Sequence, residues 1–152
     1  MEAKYSKKRQ DERYAIYRQD TKNLINQATN NSIVGLVHLN CAGEVVEARH
    51  MQIVECACDC GNRFRIPDLN RIFEGFNRLP SHEAQNLYLQ GNVECHGYEE
   101  MRNGQRRRIF RYKLTFPLES HYVCRRFFCG VHGISHTRIR RKVKLPKLLL
   151  FL

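Results

Sequence analysis

Three cysteines at alternate positions form the first candidate site in the sequence. Cys56, Cys58 and Cys60 would all point to one side of an extended segment. Zinc sites usually hold ligands that are separated by two to four residues, so Cys56 and Cys60 make the best pair. A third thiol at the alternate position would strain one tetrahedron. The spacing predicts half of a zinc site, and the other ligands must come from distant residues.

Two residues are preferred for the other half of the predicted zinc site. Cys124 is the first choice because it lies where a predicted strand meets a predicted helix. His132 lies three residues after Cys129, so both project from one face of that helix, and His132 can supply the fourth ligand. Further candidate ligands are Cys129, His82, Cys95 and His96. The competing interpretation is that these cysteines are small buried hydrophobic residues.

The segment Arg125–Lys144, RRFFCGVHGISHTRIRRKVK, fits the template of a helix-turn-helix. Cys129 is small enough for the point where two helices cross, and Gly133 gives the turn a positive φ at little cost. Ile134 and Ile139 would hold the second helix against the core. That helix would then face the major groove of DNA and its phosphates. The predicted contacts are Ser135, His136, Thr137, Arg138, Arg140, Arg141, Lys142 and Lys144, with Arg125 before them.

The basic residues are concentrated in the C-terminal third of the chain. The chain has 152 residues and a net charge of +11, and 14 of its 26 Lys and Arg residues follow Met101, with one acidic residue among them. This asymmetry favours a polyanionic partner, and DNA is the predicted one, with RNA as an alternative. A predicted strand over 107–116 adds a second strip that would face phosphates. Its residues are Arg106, Arg107, Arg108, Arg111 and Lys113. The plainer interpretation is a solvated basic tail.

Catalysis is not predicted. Only four acidic residues follow Glu83, which leaves no convergent carboxylates for a two-metal nuclease or transposase centre. The chain also contains neither a Gly-x-Ser-x-Gly motif nor a phosphate-binding loop. The main rival to nucleic-acid binding is a protein-interaction or homo-oligomerisation module. Its contacts would be the apolar stripe within Tyr14–Ala28 and the apolar run Leu148–Leu152.

The candidate site residues must be positioned by helices and strands, and the sequence pattern predicts an α+β fold for them. The predicted protein is a small single domain with a helix pair, β-hairpins and the helix-turn-helix-like segment. We expect zinc to stabilise this domain. Hydrophobic periodicity, caps and turn residues define the helices and strands. They are a helix over Tyr14–Ala28 that stops at Asn30–Ser32, a hairpin of Ile33–Leu39 and Glu44–Ala48, a helix from Pro67, a helix His82–Gln90 capped by Ser81, a loop over 92–106, and strands over 107–116 and His121–Val123.

Three segments are predicted along the chain: an arm, helix and hairpin (1–50), a basic cysteine-containing module (51–147) and an apolar tail (148–152). The N-terminus is polar and lacks the apolar core of a signal peptide. The longest apolar run, Leu148–Leu152, is too short to span a membrane. We therefore predict no membrane contact, no secretion and an intracellular location such as the nucleus, where thiols stay reduced and can bind metal.

Scattered positions carry a resemblance to a known family. They are Cys56-Ala-Cys-Asp-Cys60, Arg71-Ile-Phe-Glu-Gly-Phe76-Asn-Arg-Leu79, Gln85-Asn86-Leu-Tyr88-Leu89-Gln-Gly91, Tyr112, Val123-Cys124-Arg-Arg-Phe127-Phe128 and Gly133-Ile134-Ser135. This pattern resembles uncharacterised arthropod and other invertebrate proteins derived from transposable elements, in which the module precedes a transposase-like or integrase-like domain. The resemblance implies that Cys56, Cys60 and Cys124 are the family cysteines, and that Cys58, Cys95 and Cys129 lie outside the pattern. Because this chain ends at Leu152 without room for that catalytic domain, we expect no recombination activity. The two alternatives are a stand-alone binding module and a degenerate fragment of a transposase-like protein.

Overall fold

The chain divides into two compact units. The structure is a computed structural model that describes the backbone of residues 2–142 and the side chains of residue 12 and residues 15–141. The first unit ends at Ala48 and the second begins at Arg49. Each unit combines helix with short antiparallel strands, which confirms the predicted α+β class. None of the described helices is long and apolar enough to cross a membrane.

The first unit is a long helix followed by a small hairpin. α1 spans Glu2–Val34, so the predicted stop at Asn30–Ser32 is wrong, because asparagine and serine weaken a helix without breaking it. The helix ends at Gly35, whose φ of 77° is a left-handed value that glycine adopts at little cost. The strands β1 (His38–Leu39) and β2 (Val45–Val46) pair antiparallel. The hairpin occurs where it is predicted, with shorter strands.

Two α-helices follow the cysteine-bearing segment of the second unit. α2 (Ile66–Asn77) has proline in its first turn, and its predicted apolar stripe is buried at Leu69 and Phe76. α3 (His82–Gly91) begins at the predicted cap, where the hydroxyl of Ser81 accepts a hydrogen bond from the N–H three residues later at 3.0 Å. Both helices match the predicted elements closely, because their start signals are local.

A three-stranded antiparallel sheet follows, in the order β3-β4-β5. Its strands are Val93–Glu100, Arg106–Thr115 and Ser120–Val123. The predicted loop over 92–106 is wrong, because most of this polar segment pairs with β4, and Glu99 lies opposite Arg107. β5 pairs only with Tyr112–Thr115. Within the described chain, the first half of β4 therefore has a neighbouring strand on one side alone.

The predicted helix-turn-helix-like segment consists of two short helices. α4 spans Arg125–His132, and α5 spans His136–Lys142. The turn between them contains Gly133, with a φ of 63°. A Cβ atom at Gly133 would lie 2.9 Å from the carbonyl oxygen of His50, so this position requires glycine for space as well as for φ.

Helix α4 contributes two of the largest buried side chains of the core. Phe127 and Phe128 are fully buried, and Ile139 of α5 is buried as the template predicts. The segment before the cysteines lies directly against this helix, since the N–H of Gln52 donates to the carbonyl oxygen of Gly130 at 2.9 Å. A Cβ atom at Gly130 would overlap the carbonyl oxygen of Gln52. Glycine at this helical position therefore lets the cysteine-bearing segment approach α4.

Candidate functional site

The three alternating cysteines lie on a turn and not on an extended segment. Cys58 is within a turn that is closed by a hydrogen bond from the N–H of Asp59 to the carbonyl oxygen of Cys56 at 3.0 Å. Asp59 then adopts a left-handed conformation with a φ of 52°. A 3-10 helix spans Cys60–Arg63. This path brings three thiols together, so the third cysteine does not strain the group as the spacing alone suggests.

Cys124 completes a group of four thiols. The Sγ atoms of Cys56, Cys58, Cys60 and Cys124 all lie within 4.8 Å of one another. The Sγ of Cys58 is 3.4 Å from the Sγ atoms of both Cys56 and Cys60. Four sulfur atoms bound tetrahedrally to zinc at about 2.3 Å would be about 3.8 Å apart. The observed spacing brackets this value, so the thiols fit a tetrahedral metal ion, and no other such cluster occurs in the part of the chain that the structure describes.

Backbone N–H groups point at three of the sulfur atoms. The N–H of Cys60 lies 3.4 Å from the Sγ of Cys56, and the N–H of Cys124 lies 3.5 Å from the Sγ of Cys60. The N–H of Phe127 lies 3.5 Å from the Sγ of Cys124, which caps the start of α4. Backbone N–H groups in these positions would orient the sulfur ligands of a bound metal ion.

The pKa values of the thiols follow from their positions in the cluster. The hydrogen bond from the backbone of Cys60 lowers the pKa of Cys56 to about 7. Hydrogen bonds to the sulfur atoms of Cys56 and Cys60 raise the pKa of Cys58 to about 12, and burial raises the pKa of Cys60. Cys56 thus ionises more readily than these two neighbours, and a bound cation would displace their protons.

His132 is not a member of the cluster. Its buried ring donates from Nδ1 to the carbonyl oxygen of Phe128 at 2.8 Å, and its Nε2 lies 3.4 Å from the hydroxyl of Tyr88. The ring also packs edge-on against Phe76, and burial lowers the pKa of His132 to about 4. The predicted fourth ligand is therefore a neutral core residue. Cys58 takes its place, because the turn brings that thiol to the other sulfur atoms while α4 directs His132 into the core.

The other candidate ligands also lie outside the cluster. Cys129 is buried in α4, and burial raises the pKa of its thiol to about 11. The Sγ of Cys95 on β3 lies 3.9 Å from the carbonyl oxygen of Gly97. His82 and His96 are exposed. The interpretation of buried hydrophobic cysteine thus fits Cys129. It does not fit Cys56, Cys58 and Cys124, which are not buried, and the buried thiol of Cys60 lies in the cluster with them.

A groove of about 1090 Å³ is lined by the first half of β4 and by residues of α4 and α5. Five exposed arginines line it: Arg107, Arg108 and Arg111 on β4, Arg125 on α4 and Arg140 on α5. Glu99 is the only carboxylate among the described lining residues. Cys124 also lines the groove, so the thiol cluster and the basic groove share a residue.

Cross-strand ion pairs neutralise part of the predicted phosphate-facing strip. Arg107 lies 2.8 Å from Glu99, and Lys113 lies 2.9 Å from Glu94. These partners come from β3, the segment predicted as a loop. Among the residues that the structure describes, the other four arginines of the groove make no ion pair with a carboxylate. The available positive charge of the groove therefore comes from these four side chains.

Helix α5 exposes only part of the predicted DNA-contacting surface. Its exposed predicted residues are His136, Thr137, Arg140 and Arg141, and Ser135 is exposed just before the helix. Of these, His136 and Arg140 line the groove. Arg138 points inward instead: its guanidinium donates to Oε1 of Gln85 at 2.8 Å and lies 5.5 Å from the centre of the Phe76 ring. Arg138 is therefore a packing residue. Lys144, the run Leu148–Leu152 and the side chain of Lys142 lie outside what the structure describes.

Comparison with known proteins does not assign the chain to a family, since no protein-family model, curated protein or solved structure matches it. The resemblance to proteins of transposable elements therefore stays a prediction. The function has to be inferred from the thiol cluster and the basic groove.

Proposed function

We propose that this chain contains a zinc-stabilised domain that binds nucleic acid in the basic groove. The observation that carries the proposal is the convergence of arginines from β4, α4 and α5, with one carboxylate among the described lining residues. Converging guanidinium groups repel one another unless an anion neutralises them, and their paired N–H donors match phosphate oxygens. Charges spread over three elements suit a chain of phosphates better than a single phosphate.

Zinc is the metal that fits the thiol cluster best. Four cysteine ligands at tetrahedral spacing are typical of structural zinc sites, which have no open position for a substrate. The cluster joins the 3-10 helix at Cys60 to the junction of β5 and α4 at Cys124. Arg63 of the same 3-10 helix donates to the carbonyl oxygen of Tyr122 at 3.0 Å. A bound metal ion would therefore hold Tyr122 and Arg125 in place beside the groove.

Two double variants test this proposal: one removes two positive charges from the groove, and the other removes two positive charges from positions beside it. Arg125→Ala/Arg140→Ala removes two groove charges, whereas Arg126→Ala/Arg141→Ala removes two exposed charges from the adjacent positions outside the groove. Affinity for a labelled oligonucleotide is measured by fluorescence anisotropy in buffer that contains zinc. We expect the groove variant to bind at least about tenfold more weakly, because charged hydrogen bonds are lost, and the control to bind within about twofold of the wild type.

Equal losses in the two double variants would refute the groove as the binding site. That result would instead agree with the sequence-based hypothesis of duplex DNA bound along the whole exposed face of α5, to which Arg141 also belongs. Retained affinity in both variants would contradict nucleic-acid binding by this unit altogether.

Self-association through α1 is a second candidate function. Tyr17, Leu24 and Ile25 are 71%, 66% and 59% exposed within the first unit, and they lie on one helical stripe. A second copy of this helix would cover them. Leu24→Glu/Ile25→Glu should convert an oligomer to a monomer in size-exclusion chromatography with light scattering. A wild-type chain that is already monomeric would rule this function out.

A further inference from the structure

Apolar side chains are exposed among the arginines of the groove. Tyr122 is 46% exposed and Ile109 is 39% exposed, and both line the groove. Three more lining residues, Tyr112, Val123 and Ile139, are buried and add to the apolar lining of the groove. Covering this surface is favourable for a ligand that brings an apolar face as well as negative charge.

Hydrogen bonds hold Tyr122 in place at its hydroxyl and at its backbone carbonyl. Its hydroxyl donates to Oε2 of Glu94 at 2.8 Å, and Glu94 also binds Lys113. Its carbonyl oxygen accepts the hydrogen bond from Arg63. The guanidinium of Arg111 lies 5.4 Å from the centre of the ring. A ring fixed in this way loses little conformational entropy when a planar group stacks on it.

Single-stranded nucleic acid has the chemistry that this surface requires. In a duplex the base faces are stacked on one another and the phosphates and sugars are outermost, so the exposed apolar residues would remain uncovered. In a single strand the bases can turn outward and stack on an aromatic side chain while the phosphates contact arginine. The groove runs beside the first half of β4, where the described chain provides no second neighbouring strand.

We propose that the groove binds single-stranded nucleic acid, with phosphates on Arg108, Arg125 and Arg140 and an unpaired base against the ring of Tyr122. This inference rests on the proposed function and specifies the form of nucleic acid that the same groove takes. The arginines supply the charge, and Tyr122 with Ile109 supplies the selectivity for unpaired bases.

A matched tyrosine on the same sheet provides the control for the test. Tyr98 on β3 is 54% exposed and does not line the groove. Tyr122→Leu removes the stacking ring, Tyr122→Phe keeps the ring without its hydroxyl, and Tyr98→Leu removes the control ring. Affinities are measured by fluorescence anisotropy, with zinc present, for a labelled unstructured oligonucleotide and for the duplex of the same sequence.

We expect the wild type to bind the single strand at least about tenfold more tightly than the duplex. Tyr122→Leu should weaken single-strand binding by about tenfold and leave duplex binding unchanged, since loss of one stacked base has an effect of this size. Tyr122→Phe and Tyr98→Leu should remain within about threefold of the wild type, because both keep the ring of Tyr122. Circular dichroism and zinc content establish that each variant is folded.

Equal or stronger binding of the duplex by the wild type would overturn the inference, and so would a Tyr122→Leu variant that binds the strand normally. Either result leaves the proposed function intact if Arg125→Ala/Arg140→Ala still weakens binding of both nucleic acids. Displacement of the oligonucleotide by poly-glutamate at equal charge concentration would show that the groove accepts acidic chains in general, and would also overturn the inference.

Discussion

Replacement of Gly130 by alanine should loosen the contact that supports the cysteine cluster. Gly130 lies in α4, and its carbonyl oxygen accepts the N–H of Gln52 at 2.9 Å. A Cβ atom there would overlap the carbonyl oxygen of Gln52 and lie 3.1 Å from a methyl carbon of Val54. Since a backbone carbonyl cannot rotate aside as a flexible side chain can, the segment that leads to Cys56 would have to move away from α4.

The expected cost follows from three contributions. Loss of the backbone hydrogen bond costs about 1 kcal/mol, and forced displacement in a packed region costs about 1–3 kcal/mol. The higher helix propensity of alanine offsets about 1 kcal/mol of this. The net loss in the free energy of unfolding is therefore about 1–3 kcal/mol. For a domain of about 100 residues, each kcal/mol lowers Tm by about 4 °C or more, so Tm should fall by at least about 4–12 °C.

Gly75 provides the matched control because it is also a helical glycine. A Cβ atom at Gly75 in α2 would meet nothing within 4 Å, so Gly75→Ala should stabilise the chain by about 1 kcal/mol. Urea denaturation in saturating zinc, followed by far-UV circular dichroism, measures both variants. A Gly130→Ala protein as stable as Gly75→Ala would refute the close contact between α4 and the segment before the cysteines.

Three further predictions concern the cluster, the groove and the core. Cys58→Ser should lose its zinc, whereas the control Cys95→Ser should retain one zinc ion per chain, as measured by mass spectrometry of the metal. Equal zinc content in the two variants would contradict the four-thiol site. If Arg108, Arg125 and Arg140 each bind one phosphate, the logarithm of the single-strand association constant should fall with the logarithm of salt concentration at a slope of about −2, and a slope near zero would disprove this. His132 has a pKa of about 4 in the folded chain against an ordinary value of 6.5, so the unfolded chain binds the proton more readily. Stability should then fall as the pH falls from about 6.5 to about 4, and His132→Leu should lose less stability over this range in urea titrations; an identical pH dependence would contradict the buried neutral ring.

Elements with local signals could be predicted from the sequence. The hydroxyl of Ser81 caps α3, Pro67 lies in the first turn of α2, and Gly133 has the left-handed φ that its turn requires. Each of these effects depends on groups within about four residues. The pairing of the early cysteines with Cys124 was also accessible, because Cys124 lies where a predicted strand meets a predicted helix. Asp59 was an unused signal for the turn, since aspartate tolerates the left-handed region better than most residues.

The sequence by itself determined the order of most elements, the concentration of positive charge and three of the four clustered thiols. Only the tertiary structure decided that Cys58 joins the cluster, that His132 and Arg138 pack inward, and that β3 supplies acids to the basic strand. The physical reason is that these outcomes depend on contacts between residues far apart in the chain. Helical periodicity places a side chain on a face, but the neighbours packed against that face determine whether the side chain meets solvent, a metal ion or the core.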